Sequence, residues 1–214
     1  IKNQIEELLI QRNKKDFKKI RAFKKNNRIK NFKRIPYGKH FIDKKDIAAV
    51  VKVLKNYPLT QGPLIEVFEK EFAKYVGAKY AVAVSSCTAG LHICTLSTGI
   101  SKNEYLLTSP ITFVASANAA IYSGAKVVFS AIEKESINIS PKQIITTIKS
   151  LKKNSVKIIM PVHFAGYPCD MKRIKKIADS NNAVNIEDAA HALGSKYHCG
   201  SNVGSCKYSS MTVF

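Results

Sequence analysis

The stretch AVNIEDAAHALGS, residues 183–195, places an acidic pair directly after a short apolar run. The run has the β-branched composition of a buried strand, and small residues and His191 follow the pair of Glu187 and Asp188. A carboxylate at the end of a buried strand is costly unless it meets a cation or several hydrogen-bond donors. The stretch therefore predicts a strand that ends at a polar site.

Four similar apolar runs precede this one: YAVAVSS, YLLTSP, AKVVFSAI and VKIIMPVHF, at residues 80–86, 105–110, 125–132 and 156–164. Candidate helices separate the five runs, at about 88–98, 112–123, 141–150 and 170–180. Continuous apolar strands that alternate with helices predict an α/β fold, with a largely parallel sheet covered by helices on both faces. Ligands of such sheets gather outside the carboxyl ends of the strands.

Two further helices are predicted upstream. DKKDIAAVVKVL, residues 43–54, has Asp43 as a candidate N-cap and Asp46 in its first turn. The second helix starts after Gly62-Pro63 and ends at Gly77.

Composition limits the class of protein. The chain has 214 residues, of which 45% are apolar, and this is enough for one sizeable core. No apolar run approaches the ~18 residues of a membrane span, and no signal peptide is visible. The 5 cysteines are scattered without paired CxxC spacing. This pattern favours a reducing cytosol over a disulfide framework or a zinc site, so a cytoplasmic protein without metal is predicted.

The net charge of +20 is spread unevenly. Residues 1–34 hold 13 Lys and Arg against 3 Asp and Glu, whereas residues 35–214 hold 22 against 12. The first segment is therefore treated as a basic leader and the second as the α/β domain. The leader fits an amphipathic helix that contacts nucleic acid or an anionic membrane. Its Lys/Asn/Ile bias fits a solvated or poorly ordered extension better.

A possible anion site follows the first apolar run, in SSCTAGLHICTLSTG, residues 85–99. A helix that begins near Thr88 offers unpaired backbone N–H groups and the positive end of its dipole. The segment matches neither a dinucleotide fingerprint nor a P-loop. An ordinary capped helix is the simpler alternative.

The acidic pair suggests what else this site could bind. A ring nitrogen that must stay protonated would supply the cation that Asp188 needs, and His191 could donate to an oxygen on the same ring. Alternatively, Asp188 caps the next helix and His191 is a hydrogen-bonded core imidazole. A phosphate site and a protonated ring at neighbouring strand ends together describe pyridoxal phosphate.

Six segments, in this order and at this spacing, resemble the sugar aminotransferases of the DegT/DnrJ/EryC1/StrS family: LTQGP, AVAVSSCTAGLH, SPITFVASANA, PVHFAG, IEDAAHALGS and VGSCKYSSMTVF. The resemblance covers about residues 35–214 and implies the large domain of a fold type I pyridoxal-phosphate enzyme. PYGKHFID, HFAGYPCDM and GSCKYSSMTVF are most similar to members that aminate UDP-linked 4-keto-6-deoxy-N-acetylhexosamines on the route to pseudaminic acid.

The resemblance implies a role for each matching residue. The cofactor-binding residues would be Ser86, Cys87, Thr88, Ala89, Phe113, Asp188 and His191. Among these, Thr88 and Ala89 would bind the phosphate, Phe113 would stack on the pyridine ring, Asp188 would pair with its nitrogen and His191 would approach its phenolic oxygen. The nucleotide-sugar substrate would contact Tyr37, Tyr57, Pro58, Leu59 and Thr60. Family members are homodimers with active sites at the subunit interface, and glutamate is the usual amino donor.

The sequence departs from the family at one essential point. The Schiff-base lysine of the family follows immediately after TVF, and this sequence ends there, at Phe214. The large domain is therefore expected to be truncated before the C-terminal domain, and this chain to be inactive alone. Lys196 and Lys207 do not match the motif and are interpreted as surface lysines. Ala131, where an acidic residue is common, and Cys87, where Gly or Ala is usual, are smaller departures.

Three hypotheses follow. The chain is part of a pyridoxal-phosphate sugar aminotransferase, or it is part of a dehydratase relative in which histidine replaces the lysine. The third is a non-catalytic binding protein whose basic leader contacts nucleic acid or a membrane.

Overall fold

The computed structural model describes residues 40–214. The predicted leader, residues 1–34, and the predicted substrate contact Tyr37 lie outside this range. Residues 56–214 form the second of two compact units, and the described residues 40–55 belong to the first. All of the predicted cofactor-binding residues fall in the second unit.

The first two helices begin and end where the local sequence predicts. Helix α1, Lys44–Asn56, is capped by Asp43, whose Oδ1 accepts hydrogen bonds from the N–H groups of Lys45 and Asp46. Helix α2, Pro63–Val76, has proline at its first turn. It ends at Gly77, whose left-handed φ of 81° places its N–H on the carbonyl of Ala73.

Five strands of the second unit form one parallel sheet in the order β2-β1-β3-β4-β5. They are β1 Tyr105–Thr108, β2 Lys126–Phe129, β3 Val156–Met160, β4 Val184–Asp188 and β5 Met211–Val213. The strand predicted in the stretch 183–195 is therefore confirmed as β4, and it lies between β3 and β5.

Four helices connect and cover this sheet: α3 Cys87–Ser97, α4 Val114–Tyr122, α5 Pro141–Lys149 and α6 Met171–Ser180. Each overlaps a predicted helix, and the α/β fold class with a parallel sheet is confirmed. Within residues 40–214, every helix is too short or too polar to cross a membrane.

The two faces of the sheet bury separate apolar clusters because successive strand residues point to opposite sides. Leu106 and Ile158 face α3 and α4, in a cluster with Leu91 and Ala119. The next residues along the strands, Leu107 and Ile159, face α5 and α6, in a cluster with Ile144 and Ile174. The sheet is thus covered on both faces.

The first predicted strand, residues 80–86, is wrong. Residues 80–84 are extended but pair with no strand in the part of the chain that the structure describes. Tyr80 and Val82 are exposed, at 76% and 77% of their surface. The backbone N–H of Ala83 instead donates to Glu69 Oε1 of α2, at 2.7 Å. An alternating apolar pattern predicts an extended backbone, but a strand also requires a neighbour.

Candidate active site

Asp188, the last residue of β4, lies at the centre of the candidate site. Its side chain is buried, and its carboxylate accepts hydrogen bonds from Ser116 Oγ at 2.6 Å and from the N–H of Ala190 at 3.3 Å. Its own N–H donates to the carbonyl of Pro161, and its carbonyl accepts from the N–H of His163. The backbone of Asp188 is therefore fixed against the loop after β3.

The alternative role of Asp188 as a helix cap is excluded, since turns rather than a helix follow it. Its contact with the N–H two residues ahead is the pattern of an Asx turn. A negative charge in this buried position is compensated by hydrogen-bond donors, as the sequence predicts.

The start of α3 faces Asp188 across the site. Cys87 is the first residue of α3, and its Sγ lies 3.9 Å from Asp188 Oδ1. Burial, and then the negative charge of Asp188, raises the pKa of the Cys87 thiol to about 12. The thiol therefore stays protonated at neutral pH and donates to the carboxylate. The structure thus brings together the predicted anion site and the predicted ring-nitrogen partner.

The helix start itself is well capped. Ser86 is the N-cap of α3, and its Oγ accepts the N–H of Ala89 at 3.2 Å. Thr88 is exposed at this first turn. Since the Ala89 N–H already has a partner in Ser86, an anion that took this donor would replace the serine hydroxyl.

Phe113 and His191 are the two remaining residues of the predicted cofactor site. Phe113 is the residue before α4, and 75% of its surface is exposed. His191 is exposed as well, which excludes its alternative role as a core imidazole. The backbone carbonyl of His191 approaches Gly166 so closely that a Cβ there would lie 2.8 Å away.

The predicted substrate segment, residues 57–60, follows α1 and precedes α2. Pro58, Leu59 and Thr60 are exposed. The carbonyl of Pro58 would lie 2.3 Å from a Cβ at residue 62, so Gly62 allows a tight turn here. This segment contributes none of the hydrogen bonds to Asp188 or Ser86.

The neighbouring carboxylate, Glu187, was not predicted to have a role, and the structure gives it a dense set of partners. It is fully buried on the opposite face of β4 from Asp188, because adjacent strand residues alternate. Four side chains donate to it: His163 Nε2 at 2.7 Å, Tyr197 OH at 2.6 Å, Thr212 Oγ1 at 3.2 Å and Ser209 Oγ.

Burial alone would raise the pKa of Glu187, but the hydrogen bonds from His163, Ser209 and Tyr197 outweigh it and hold the pKa below its ordinary value. His163 Nδ1 accepts the N–H of Cys169 at 3.1 Å, so the ring proton is on Nε2 and points to Glu187. Glu187 therefore joins β4 to the loop after β3 and to β5 as an ionised structural group.

Two more residues of the site were missed by the sequence reasoning. Ser116 on α4 carries no motif of its own, and only its distance to Asp188 identifies it. Gly90 in α3 does carry a signal, since glycine is unfavourable within a helix. A Cβ at Gly90 would lie 2.7 Å from Val213 Cγ1, so the glycine lets α3 pack closely on β5 beside Asp188.

Comparison with known proteins gives one family and many relatives. The family described as the DegT/DnrJ/EryC1/StrS aminotransferase family matches residues 40–214. Spore coat polysaccharide biosynthesis protein SpsC of Bacillus subtilis is 40% identical over 163 residues, which are 76% of this chain and 41% of SpsC. UDP-4-amino-4,6-dideoxy-N-acetyl-beta-L-altrosamine transaminase of Campylobacter jejuni is 41% identical over 173 residues, 80% of this chain and 44% of that protein.

A solved structure supports the same relationship. Helicobacter pylori PseC, an aminotransferase involved in the biosynthesis of pseudaminic acid, superposes with a TM-score of 0.70 and 31% identity. The superposition covers 80% of this chain and 45% of PseC. The chain thus spans less than half the length of the relatives it matches.

Proposed function

The chain belongs to the DegT/DnrJ/EryC1/StrS aminotransferase family, and from this premise we propose that it is part of a nucleotide-sugar aminotransferase. The proposed reaction transfers an amino group from glutamate to a nucleotide-linked 4-keto-6-deoxy sugar. A UDP-sugar on the route to pseudaminic acid, or to a related surface polysaccharide, is the favoured substrate because the relatives in Campylobacter and Helicobacter carry those names.

Pyridoxal phosphate is the cofactor of this family's aminotransferases. The residues of this chain fit it: a buried carboxylate at the end of β4 lies 3.9 Å from the first residue of α3, so sites for a cationic ring and for an anion adjoin. This juxtaposition is the observation that carries the proposal. When bound, the cofactor supplies an electron sink for the carbon that exchanges its amino group.

Each proposed contact with the cofactor follows from the charge, the position or the exposure of the residue that makes it. Asp188 holds the proton on the ring nitrogen, because a buried carboxylate stabilises a neighbouring cation. Thr88 and Ala89, with Ser86 and Cys87, present the positive end of α3 to the phosphate. Phe113 offers an exposed ring on which the cofactor would stack, and His191 would donate to the phenolic oxygen.

We assign no Schiff-base lysine among the residues that the structure describes. Lys196 and Lys207 are exposed, and Lys207 Nζ contacts Ser201 Oγ and Cys199 Sγ at 3.2 and 3.5 Å. Both are therefore surface lysines. We propose that the catalytic proton transfer at the substrate carbon needs a lysine other than Lys196 and Lys207.

A homodimer is proposed from the outer surface of α3 and α4. Several large apolar side chains are exposed there, namely Ile93, Leu96, Phe113, Val114, Ile121 and Tyr122. Many exposed large apolar side chains on neighbouring helices are typical of an interface. The 5 cysteines are free thiols, which fits the cytoplasm as the proposed location.

The proposal is tested by the binding of pyridoxamine phosphate to the chain. We expect Asp188→Asn to weaken binding about tenfold or more, since a hydrogen bond to a charged group contributes about 1.5–3 kcal/mol. Titration followed by cofactor fluorescence measures the dissociation constant.

Asp179→Asn is the matched control, because it removes a carboxylate whose side chain is 60% exposed on α6 and leaves the site intact. Its affinity should equal that of the unchanged chain. Equal binding by the Asp188→Asn variant would remove Asp188 from a cofactor site and contradict the proposed function.

A further inference from the structure

The two oxygens of Asp188 have different surroundings. Oδ2 accepts a short hydrogen bond of 2.6 Å from Ser116, which is fully buried. Oδ1 has only longer contacts, with the N–H of Ala190 at 3.3 Å and with Cys87 Sγ at 3.9 Å. The carboxylate is therefore held firmly through one oxygen and loosely through the other.

Ser116 has a partner of its own in Thr112, whose Oγ1 lies 2.6 Å from Ser116 Oγ. A serine hydroxyl carries one proton, and the ionised carboxylate can only accept. Ser116 Oγ also lies 3.3 Å from the carbonyl of Phe113, but the 2.6 Å contact with the Asp188 carboxylate is much the shorter and takes the proton. The hydroxyl of Thr112 must then donate to Ser116. The direction of the chain is thus Thr112 to Ser116 to Asp188.

We propose, on the basis of the proposed function, that Ser116 and Thr112 are positioning residues that dedicate Oδ2 of Asp188 to the protein and leave Oδ1 to the ring nitrogen of the cofactor. Rotation of a carboxylate about its last torsion is soft, so the backbone of Asp188 does not by itself orient the oxygens. A short bond from a buried hydroxyl to a carboxylate is among the strong hydrogen bonds of proteins and supplies that orientation.

The position of Oδ1 supports its assignment to the ring nitrogen of the cofactor. It is the oxygen on the side of Cys87, at the helix start that is proposed to bind the phosphate. An oxygen with one short bond already has part of its acceptor capacity used, whereas Oδ1 retains more for a cationic N–H. The ring and the phosphate of one ligand would then meet Oδ1 and the start of α3 together.

The test compares variants in the binding of pyridoxamine phosphate at one fixed pH. Ser116→Ala removes the donor to Asp188, and we expect about three- to tenfold weaker binding. Thr112→Val, which keeps the shape of threonine but not its hydroxyl, should weaken binding in the same direction, and Thr112→Ser should restore it. Ser130→Ala is the matched control, because the hydroxyl of Ser130 is buried without a hydrogen-bond partner among the described residues.

A second readout separates positioning from a general structural role. The ¹⁵N signal of ring-labelled pyridoxamine phosphate reports whether the ring nitrogen is protonated. We expect Ser116→Ala to move this signal toward that of the unprotonated ring, as Asp188→Asn does, and Ser130→Ala to leave it unchanged.

The outcomes distinguish the two proposals. If Asp188→Asn binds as the unchanged chain does, the proposed function fails, and this inference fails with it. If Asp188→Asn weakens binding while Ser116→Ala and Thr112→Val behave like Ser130→Ala, the hydroxyl chain has no positioning role and the proposed function stands. If Ser116→Ala does not fold, the Thr112→Val and Thr112→Ser pair decides the question, because Thr112 is only partly buried.

Discussion

At the scale of single residues, the two adjacent carboxylates of β4 have opposite roles because the strand directs them to opposite faces. Asp188 reaches the start of α3, where a ligand has access. Glu187 is enclosed by four side-chain donors and faces no solvent. Buried ionised groups of this kind stabilise a fold only as long as every partner remains.

We therefore predict that Glu187→Gln lowers the free energy of unfolding by about 2 kcal/mol, since an amide cannot accept from all four donors and leaves some of them unpaired. Glu66→Gln is the control. Glu66 is exposed on α2 and pairs with Lys70, and such surface pairs contribute little to stability because solvent screens them. Urea unfolding of both variants measures the difference, and an equal loss in the two would contradict the structural role of Glu187.

The same carboxylate predicts a pH dependence of stability. Because the pKa of Glu187 is lower in the folded protein than its ordinary value of 4.5, its contribution is fully present above about pH 4.5. That contribution is lost as the pH falls through the lower folded-state pKa. The unfolding free energy of the unchanged chain should drop more steeply with acid than that of Glu187→Gln. Parallel curves below pH 4.5 would show that folding does not lower the pKa of Glu187.

At the scale of elements, the close contact between α3 and β5 depends on Gly90, which has no side chain. Alanine is favoured over glycine within a helix by about 1 kcal/mol, so Gly90→Ala would stabilise an isolated α3. In this fold its Cβ would lie 2.7 Å from Val213 Cγ1 and would push the helix away from the strand. Overpacking of this kind costs about 1–3 kcal/mol.

We predict a net loss of stability for Gly90→Ala and a smaller loss when it is combined with Val213→Ala, which removes the clashing methyl groups. A double-mutant cycle from thermal unfolding measures the coupling between the two positions. Additive effects would show that α3 and β5 do not meet at this point. Because α3 starts beside Asp188, the shift should also weaken binding of pyridoxamine phosphate.

At the scale of the whole molecule, a high positive charge and an exposed apolar surface act against each other. The net charge is +20, and like charges oppose association at low salt. At 0.1 M salt, screening becomes effective beyond about 10 Å. The apolar side chains on the outer surface of α3 and α4 are then free to associate.

We predict that the chain self-associates increasingly as salt is raised, and that Ile121→Lys on α4 reduces this association. Ile121 is 60% exposed, so the substitution should not disturb the core. Lys102→Ala, a change in an exposed loop before β1, is the control. Size-exclusion chromatography across a salt series measures the outcome, and an equal elution profile for Ile121→Lys would exclude α4 from the associating surface.

The sequence by itself determined the parts of this protein that depend on neighbouring residues. Its apolar runs and turn residues located four of the five strands, β1 to β4, and the helices between them. The position of Asp188 at a strand end and of Ser86 at a helix start followed from the same local pattern.

Only the tertiary structure decided which distant groups meet. Ser116 and Cys87 are 72 and 101 residues from Asp188 along the chain, and no periodicity relates them. The same holds for the donors to Glu187 and for the contact of Gly90 with Val213. Residues 80–84 show the converse, since a strand pattern formed no strand where no neighbour was available. Local sequence sets backbone conformation, whereas pairing and burial are set by packing between segments.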